Sequence, residues 1–507
     1  MVNNLNENVN VLFASSEVVP FSKTGGLADI SGSLPKVLNN KVKMTVITPF
    51  YKSVDLSSYP YKLIKEIKIN MAGYNYYVSY YSFILDNVTY VFIKHPFYER
   101  DSFYGYHDDD ERFFLFSYSI LEYVNLSATS FDIIHLNDWQ TAMVPFLLKE
   151  HYLHNELYQN IKTLLSIHNL QFQGNFNKES YKYTNKPFSY DYLHFDQVNF
   201  LKCGILLANK INTVSNTYKE EIKTSYYGYG LDGSLNDRNK DLYGILNGID
   251  YHLYNPETDK TLFFNYSKTS FISGKKNNKQ ELLKELNLEY LNDYPLIGHV
   301  GRLAEQKGID LMMATLEETI NKTNAYFVFL GSGESKYEEY FKYLMYKYPK
   351  RFYAKIGFSN RLANLIYAAS DLFLMPSLFE PCGLAQMISM RYGTLPIVRE
   401  TGGLKDTVIP YNKYTDEGTG FSFRNYNAHE MMEQIIVSTN LYNNNKHVFR
   451  LLQKQALKQD YSLNKMGQGY LNLYNKLINK EWLDGNFSFN ISRWERLKIR
   501  RFIGKKE

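Results

Sequence analysis

The sequence predicts an α/β protein made of two doubly wound domains that face each other across a cleft. With 507 residues the chain is too long for one ordinary domain and suits two large ones. Short apolar runs alternate with longer helical patterns along both halves, which is typical of strands joined through helices. The turn T-G-G-L-x-D occurs once in each half, at 24–29 and at 401–406. Each half is therefore expected to contribute a glycine-rich loop to a shared cleft.

The apolar runs are continuous rather than alternating, which favours parallel strands covered by helices on both faces. Ligands of such sheets bind at the carboxyl ends of the strands. The runs expected as strands are 9–17, 43–50, 131–138, 163–169 and 210–215 in the first half, and 295–302, 325–333, 352–358, 371–377 and 394–400 in the second.

Composition narrows the class of protein and its compartment. The formal charge is +5 over 507 residues, so no basic face for nucleic acid is indicated. The two cysteines, Cys203 and Cys382, exclude a disulfide framework and fit a reducing compartment. Neither a signal peptide nor an apolar run of 18 residues is present. We expect a cytoplasmic protein with no membrane span and no nucleic-acid partner.

The domain boundary is placed in the polar stretch 251–279. We predict a first domain at 1–252, a second domain at 253–474 and a terminal segment at 475–507. The basic tail from Ser492 is interpreted as a helix that packs one edge on the body of the protein. A helix that touches a membrane surface or a glucan is the alternative.

Two loops carry candidate anion-binding groups. In the first, Lys23 precedes Gly25 and Gly26 at a strand-to-helix turn, where backbone N–H groups and the helix N-terminus favour an anion. In the second, Arg302 and Lys307 follow a buried strand five residues apart, and their side chains suit a diphosphate. The alternatives are a purely structural glycine turn and solvated surface cations.

Other candidate site residues lie where strands end. Glu380 stands on a Pro-flanked loop before a helix, as a ligand for a hydroxyl or as a capping acid. Cys382 is expected to be a buried hydrophobe rather than a nucleophile. Asp138 and His168 end two strands of the first half and are expected at the cleft rim. The acidic run at 107–111 is expected to complement a helix dipole, with a metal site as the alternative.

The motifs in their order along the chain resemble one enzyme family. They are K-T-G-G-L-A-D, D-W, H-N-L-Q-F-Q-G, N-F-L-K-C-G, L-N-G-I-D, G-R-L-x-x-Q-K-G, E-P-C-G-L and Y-G-T-L-P-I-V-R-x-T-G-G-L-x-D-T-V. This series resembles the bacterial glycogen synthase and plant starch synthase family of glycosyltransferases, from about Val11 to about Tyr474. The K-T-G-G-L and E-P-C-G-L segments are highly specific.

The resemblance implies a GT-B fold, with two Rossmann-like domains and a final helix that crosses back onto the first. It implies transfer of glucose from ADP-glucose to the non-reducing end of an α-1,4-glucan such as glycogen or starch, with retention of configuration and without a metal or cofactor. The catalytic residues it implies are Glu380, His168, Asp138 and Lys23. The substrate-binding residues it implies are Lys23, Gly25, Gly26, Asn247, Arg302, Lys307, Gly331, Phe358, Cys382 and Gly383, with Phe358 in place of a Tyr that stacks on adenine.

The chain departs from the family pattern at Gln140, Leu378 and Ala385, which leaves donor preference open. Ile388 stands where related retaining enzymes carry a second Glu, and this favours the glycogen synthases over sucrose- or trehalose-phosphate enzymes. The competing interpretations are a UDP-glucose-dependent transferase and a non-catalytic glucan-binding scaffold. Oligomeric state does not follow from the sequence.

Overall fold

The computed structural model describes residues 9–187, 189–290 and 294–478. The strands of the first half are β1 (Asn10–Ala14), β2 (Lys43–Pro49), β3 (Lys62–Met71), β4 (Tyr74–Leu85), β5 (Val88–Lys94), β6 (Ile133–Asn137), β7 (Lys162–Ile167), β8 (Asn175–Phe176), β9 (Leu193–His194), β10 (Gln197–Asn199), β11 (Lys210–Thr213) and β12 (Leu242–Gly244). Those of the second half are β13 (Leu296–Val300), β14 (Tyr326–Gly331), β15 (Phe352–Ile356), β16 (Leu372–Met375), β17 (Leu395–Arg399) and β18 (Phe421–Phe423).

Helices connect and cover these strands. They are α1 (Gly26–Leu38), α2 (Asp109–Leu126), α3 (Val144–Leu147), α4 (Glu156–Gln159), α5 (Phe200–Leu207), α6 (Asn216–Glu221), α7 (Asp232–Asp237), α8 (Phe271–Glu285), α9 (Ile309–Lys322), α10 (Ser335–Lys347), α11 (Asn360–Ala369), α12 (Ala385–Arg391), α13 (Gly402–Thr407), α14 (Ala428–Asn444), α15 (Lys446–Lys458) and α16 (Leu463–Ile478). No helix among the described residues is long and apolar enough to cross a membrane.

The first domain is built on a nine-stranded sheet in the order β12-β11-β7-β6-β1-β2-β5-β4-β3. Its strands pair in parallel from β12 to β5, as the continuous apolar runs predict. At one edge the strands β3 and β4, which the sequence analysis did not predict, add to β5 in antiparallel fashion. Two-residue turns at 72–73 and 86–87, all with positive φ, make these hairpins possible.

The second domain is built on a six-stranded sheet in the order β15-β14-β13-β16-β17-β18, and all its pairings are parallel. This confirms the doubly wound α/β class for this half. The central strands of both sheets are almost fully buried, namely β1, β2, β6 and β7 in the first and β13, β14, β16 and β17 in the second. Buried parallel strands place their carboxyl ends, and the loops that follow them, at one edge of each sheet.

Two helices of the second half differ from a simple linker and tail. Part of the polar stretch expected at the boundary is helix α8, in which Lys275 and Lys279 are buried. Helix α16 packs on the first domain, where Tyr474 OH lies 2.7 Å from His135 Nδ1 and Asn212 Nδ2 donates to Tyr470 OH at 3.2 Å. The tail from Ser492 lies outside the described residues.

Candidate active site

Glu380 lies on the loop between β16 and α12, at the carboxyl end of the second sheet. Its Oε2 atom is 2.6 Å from Lys307 Nζ and accepts a hydrogen bond from Ser377 Oγ at 3.2 Å. The Glu380 side chain is 8% exposed and that of Lys307 is 20% exposed. An ion pair this sheltered is screened less than a surface pair. The two sequence motifs therefore meet in one charged, half-enclosed site.

The backbone of this loop is fixed by its neighbours. Arg399 Nε donates to the Ser377 carbonyl at 2.8 Å, and Gly403 N donates to the Glu380 carbonyl at 3.1 Å. Gly383 has φ +72°, a left-handed conformation that favours glycine. Burial raises the pKa of the Cys382 thiol to about 12, so this thiol stays protonated and is no nucleophile at neutral pH.

Arg302, Gly331 and Phe358 lie at the same edge of the second sheet and differ in how exposed they are. Arg302 is exposed, and its Nη2 donates to Gln306 Oε1 at 2.8 Å. Phe358 is 82% exposed and follows Gly357, whose φ is +125°. Gly331 is buried, and a Cβ added there would stand 2.0 Å from the Gly301 carbonyl oxygen. Close packing of the chain alone therefore requires a glycine at position 331.

Asp138 and His168 lie next to each other at the carboxyl ends of β6 and β7. Asp138 has φ +55°, and its Oδ1 accepts the His168 N–H at 2.7 Å. His168 Nε2 lies 2.9 Å from Asn137 Oδ1, an acceptor that selects the Nε2–H tautomer. Burial raises the pKa of Asp138 to about 7 and lowers the pKa of His168 to about 4. Between about pH 4 and pH 7 both of these side chains are therefore largely neutral.

The first T-G-G-L loop is occupied by a carboxylate of the chain itself. Glu17 accepts hydrogen bonds from Thr24 N, from Thr24 Oγ1 at 2.6 Å and from Gly25 N at 3.3 Å. Tyr104 OH donates to Glu17 Oε1 at 2.8 Å. Lys23 pairs with Asp29 at 2.7 Å on an exposed turn. Thr24 N and Gly25 N are therefore bonded to a carboxylate of the protein itself, while the space beside the two glycines is open.

The two halves of the site meet at a junction between the domains. Asn247, from the first domain, hydrogen-bonds through its backbone with the Cys382 thiol. The Asn247 side chain is buried, and its Oδ1 has no hydrogen-bond partner among the described residues. Ser215 Oγ donates to the Pro381 carbonyl at 2.6 Å. The E-P-C-G segment is thus in direct contact with the first domain.

The acidic run at 107–111 is engaged by side chains of the protein. Asp108 makes a two-pronged ion pair with Arg100 at 2.6 Å on each arm, and Asp109 pairs with the buried Arg112. Asp110 accepts from Ser180 Oγ at 2.5 Å. No group of three or more His, Cys, Asp or Glu side chains in the described ranges is placed to hold a metal ion.

Several residues of the site escape sequence reasoning. Ser377 could have been predicted from the sequence, because it stands three residues before Glu380 on the same loop. Tyr104 is one of 46 tyrosines and carries no distinguishing signal. Arg399 belongs to the motif Y-G-T-L-P-I-V-R-x-T-G-G-L-x-D-T-V, although the motif does not show that its side chain bonds the Ser377 carbonyl, and Glu221 belongs to a stretch of unremarkable composition.

Comparison with known proteins identifies the family. The family described as the starch synthase catalytic domain matches residues 10–237, and that described as glycosyl transferases group 1 matches residues 279–456. A glycogen synthase of Acholeplasma laidlawii is 51% identical over 477 residues, which cover 93% of this chain and all of the relative. This chain belongs to the glycogen and starch synthase family. A glycogen synthase of Clostridium acetobutylicum is 46% identical over 486 residues, with the same coverage of both chains.

One solved structure of this family and a more distant one agree with the fold. The catalytic domain of starch synthase IV from Arabidopsis thaliana, bound to ADP and acarbose, matches with a TM-score of 0.84 and 31% identity, over 93% of this chain and 99% of that one. The more distant sucrose-phosphate synthase of Thermosynechococcus elongatus shares the fold alone, with a TM-score of 0.58, 15% identity and coverage of 92% and 99%. As a glycogen or starch synthase, the chain is a glycosyltransferase of the GT-B fold, as its motifs indicate.

Proposed function

We propose that this chain transfers glucose from ADP-glucose to the non-reducing end of an α-1,4-glucan, with retention of configuration. The observation that carries the proposal is the sheltered pair of Glu380 and Lys307, 2.6 Å apart at the carboxyl end of the second sheet. The starch synthase that matches over nearly the whole chain was solved with ADP and acarbose, which supports a nucleotide and a sugar as ligands. We infer a cytoplasmic location and a division of the domains near residue 252.

The charges of the site fit the charges of the reaction. As the nucleoside diphosphate leaves, negative charge grows on its phosphates and positive charge grows on the sugar ring. We assign the phosphates to Arg302 and Lys307, together with Lys23 and the Gly25–Gly26 loop of the opposite domain. Preorganised cations at such a leaving group stabilise the transition state without the help of a metal.

We assign the binding of the transferred glucose to side chains from both domains. Glu380 stabilises the cationic ring, while Asp138 and His168 bind sugar hydroxyls on the first-domain side. The buried Asn247 Oδ1, which lacks a partner among the described residues, suits a ligand hydroxyl as donor. Phe358, which is 82% exposed, offers a ring face to adenine. Lys23 must leave Asp29 to act, and an exposed ion pair of this kind costs only about 0–1 kcal/mol to break.

The test is transfer of labelled glucose to glycogen from ADP-glucose or UDP-glucose, each with and without excess EDTA. We expect label in the polymer from ADP-glucose, undiminished by EDTA. Faster transfer from UDP-glucose would overturn the donor assignment. Glucan binding without transfer from either donor would favour the scaffold interpretation. Loss of transfer in EDTA that Mg²⁺ or Mn²⁺ restores would return the acidic run at 107–111 to consideration as a metal site.

A further inference from the structure

The short helix α6 touches both halves of the site. Its N-cap residue Ser215 accepts the Tyr218 N–H at 3.2 Å and donates its hydroxyl to the Pro381 carbonyl at 2.6 Å. Tyr218 OH accepts the N–H of Leu170, two residues after His168, at 3.1 Å. One turn of helix in the first domain is therefore bonded to the His168 loop and to the Glu380 loop.

The last residue of α6, Glu221, extends this contact to the second T-G-G-L turn. Its Oε1 atom accepts from Thr401 Oγ1 and from Gly402 N, both at 3.0 Å. The next residue of that turn, Gly403, donates its N–H to the carbonyl oxygen of Glu380 at 3.1 Å. A Cβ added to Gly402, whose φ is +44°, would stand 2.0 Å from the same carbonyl oxygen. Glu221, the second T-G-G-L turn and the backbone of Glu380 are therefore in direct, closely packed contact.

The carboxylate of Glu221 carries a desolvation cost that a purely structural contact would not require. Its second carboxylate oxygen, Oε2, is buried and has no hydrogen-bond partner among the described residues. Burial raises the pKa of this carboxyl, against the hydrogen bonds from Gly402 and Thr401 and the charge of Arg399, which lower it. A buried carboxylate that uses one oxygen keeps part of its desolvation cost. The neighbouring Glu220 is instead exposed and pairs with Lys223 at 2.6 Å.

We propose that Glu221 is a positioning residue, which sets Glu380 against the sugar site of the opposite domain through the second T-G-G-L turn. The proposal rests on the proposed role of Glu380 in glucose transfer. Misplacing a reacting group by about 1 Å costs roughly 10²-fold in rate. Removal of the Glu221 carboxyl should therefore lower kcat and leave the binding of ADP intact, because neither Arg302 nor Lys307 touches it.

The test compares Glu221→Ala with Glu221→Gln, which keeps an acceptor oxygen, and with Glu220→Ala as the matched control. We expect Glu221→Ala to lower kcat about 10–100-fold, with the Kd for ADP unchanged. Glu221→Gln should restore most of the rate, and Glu220→Ala should match the wild type. A wild-type kcat in Glu221→Ala, or an equal loss in Glu221→Gln, would overturn the positioning role. If Glu221→Ala does not fold, Thr401→Val removes one of the two bonds and should lower kcat by a smaller factor.

Amide hydrogen exchange tests the same proposal without activity. In Glu221→Ala, peptides that cover 377–384 and 401–408 should exchange faster than in Glu220→Ala. Unchanged exchange in both peptides would overturn the proposal even if the enzyme is active. If Glu221→Ala exchanges faster as expected but the wild type transfers no glucose, the proposed function is overturned and the contact made by Glu221 is not.

Discussion

The two carboxylates of the site differ in their partners. Glu380 faces the ammonium group of Lys307 and the hydroxyl of Ser377. Asp138 instead accepts the backbone N–H of His168, and burial is the main reason that its pKa is raised to about 7. A carboxyl that is desolvated favours its neutral form. The two carboxyl groups thus stand in different electrostatic surroundings.

The raised pKa of Asp138 predicts a pH-dependent stability. Because the folded pKa exceeds the unfolded value of about 3.9, charging Asp138 costs stability as the pH rises through about 7. Asp138→Asn cannot charge, and its amide oxygen can still accept the His168 N–H. We expect the Tm of the ligand-free wild type to fall relative to that of Asp138→Asn between pH 5 and pH 8. His168 stays neutral in both folded proteins over this range, since its pKa is about 4.

The measurement is thermal unfolding of both proteins at four pH values in buffers of equal ionic strength. Asp55→Asn, which neutralises an exposed carboxylate that accepts the Ser57 N–H at 2.8 Å, is the control and should follow the pH dependence of the wild type over this range. A constant difference in Tm between wild type and Asp138→Asn would contradict the raised pKa.

At the scale of elements, the two T-G-G-L turns share a sequence and differ in what surrounds them. A Cβ added at Gly25 or Gly26 would meet nothing within 4 Å, and neither residue has a positive φ. At Gly402 and Gly403 an added Cβ would stand 2.0 Å from backbone carbonyl oxygens of Glu380 and Cys382. The first turn therefore leaves room for a ligand, whereas the second is filled by the protein.

This difference predicts opposite effects of one substitution. Gly25→Ala should keep the Tm of the wild type, because the space around it is open, and should raise KM for ADP-glucose about 10-fold or more by obstructing the ligand. Gly402→Ala should lower the Tm markedly, because its φ and its contact both exclude a side chain. Thermal unfolding and steady-state kinetics on both variants are the measurements. A Gly25→Ala enzyme with unchanged KM would place the donor elsewhere.

The sequence predicts an element well when a single feature, such as burial on both faces of a strand, determines it. Continuous apolar runs identify the parallel strands, and charged or glycine-rich residues at their ends identify the loops of the site. The antiparallel strands β3 and β4 were missed because only one of their faces is buried and their turn residues include Ala72, a poor turn signal. The lysines of α8 resemble a linker in composition, yet Lys279 makes a buried 2.6 Å ion pair with Asp371.

At the scale of the molecule, the site is divided between two domains. Lys23 and Asp138 lie in loops that follow strands of the first sheet, and Arg302 and Glu380 in loops that follow strands of the second, so a donor that bridges them should draw the domains together. Residues such as Glu221 could not be found from sequence, because their role exists only where two distant segments, 180 positions apart, come into contact.

Closure predicts a smaller radius of gyration when ADP-glucose or ADP is bound. Small-angle scattering of the wild type with and without saturating ADP measures it. The matched control is Arg302→Ala, which removes an exposed cation of the phosphate site and should weaken the compaction at equal ADP concentration. An unchanged radius of gyration in the saturated wild type would contradict closure on the donor.

The most direct test of the central claim is the kcat of Glu380→Gln with ADP-glucose and glycogen. The amide can still accept hydrogen bonds from Lys307 and Ser377, so the substitution removes charge and keeps shape. Losing one electrostatic partner of a transition state costs about 10²–10³-fold in rate, and we predict a loss of this size with little change in KM. Glu400→Gln, at a carboxylate that bonds Ser422, serves as the control and should turn over normally. A Glu380→Gln enzyme with the kcat of the wild type would contradict the claim that the charge of Glu380 stabilises the cationic sugar ring in the transition state.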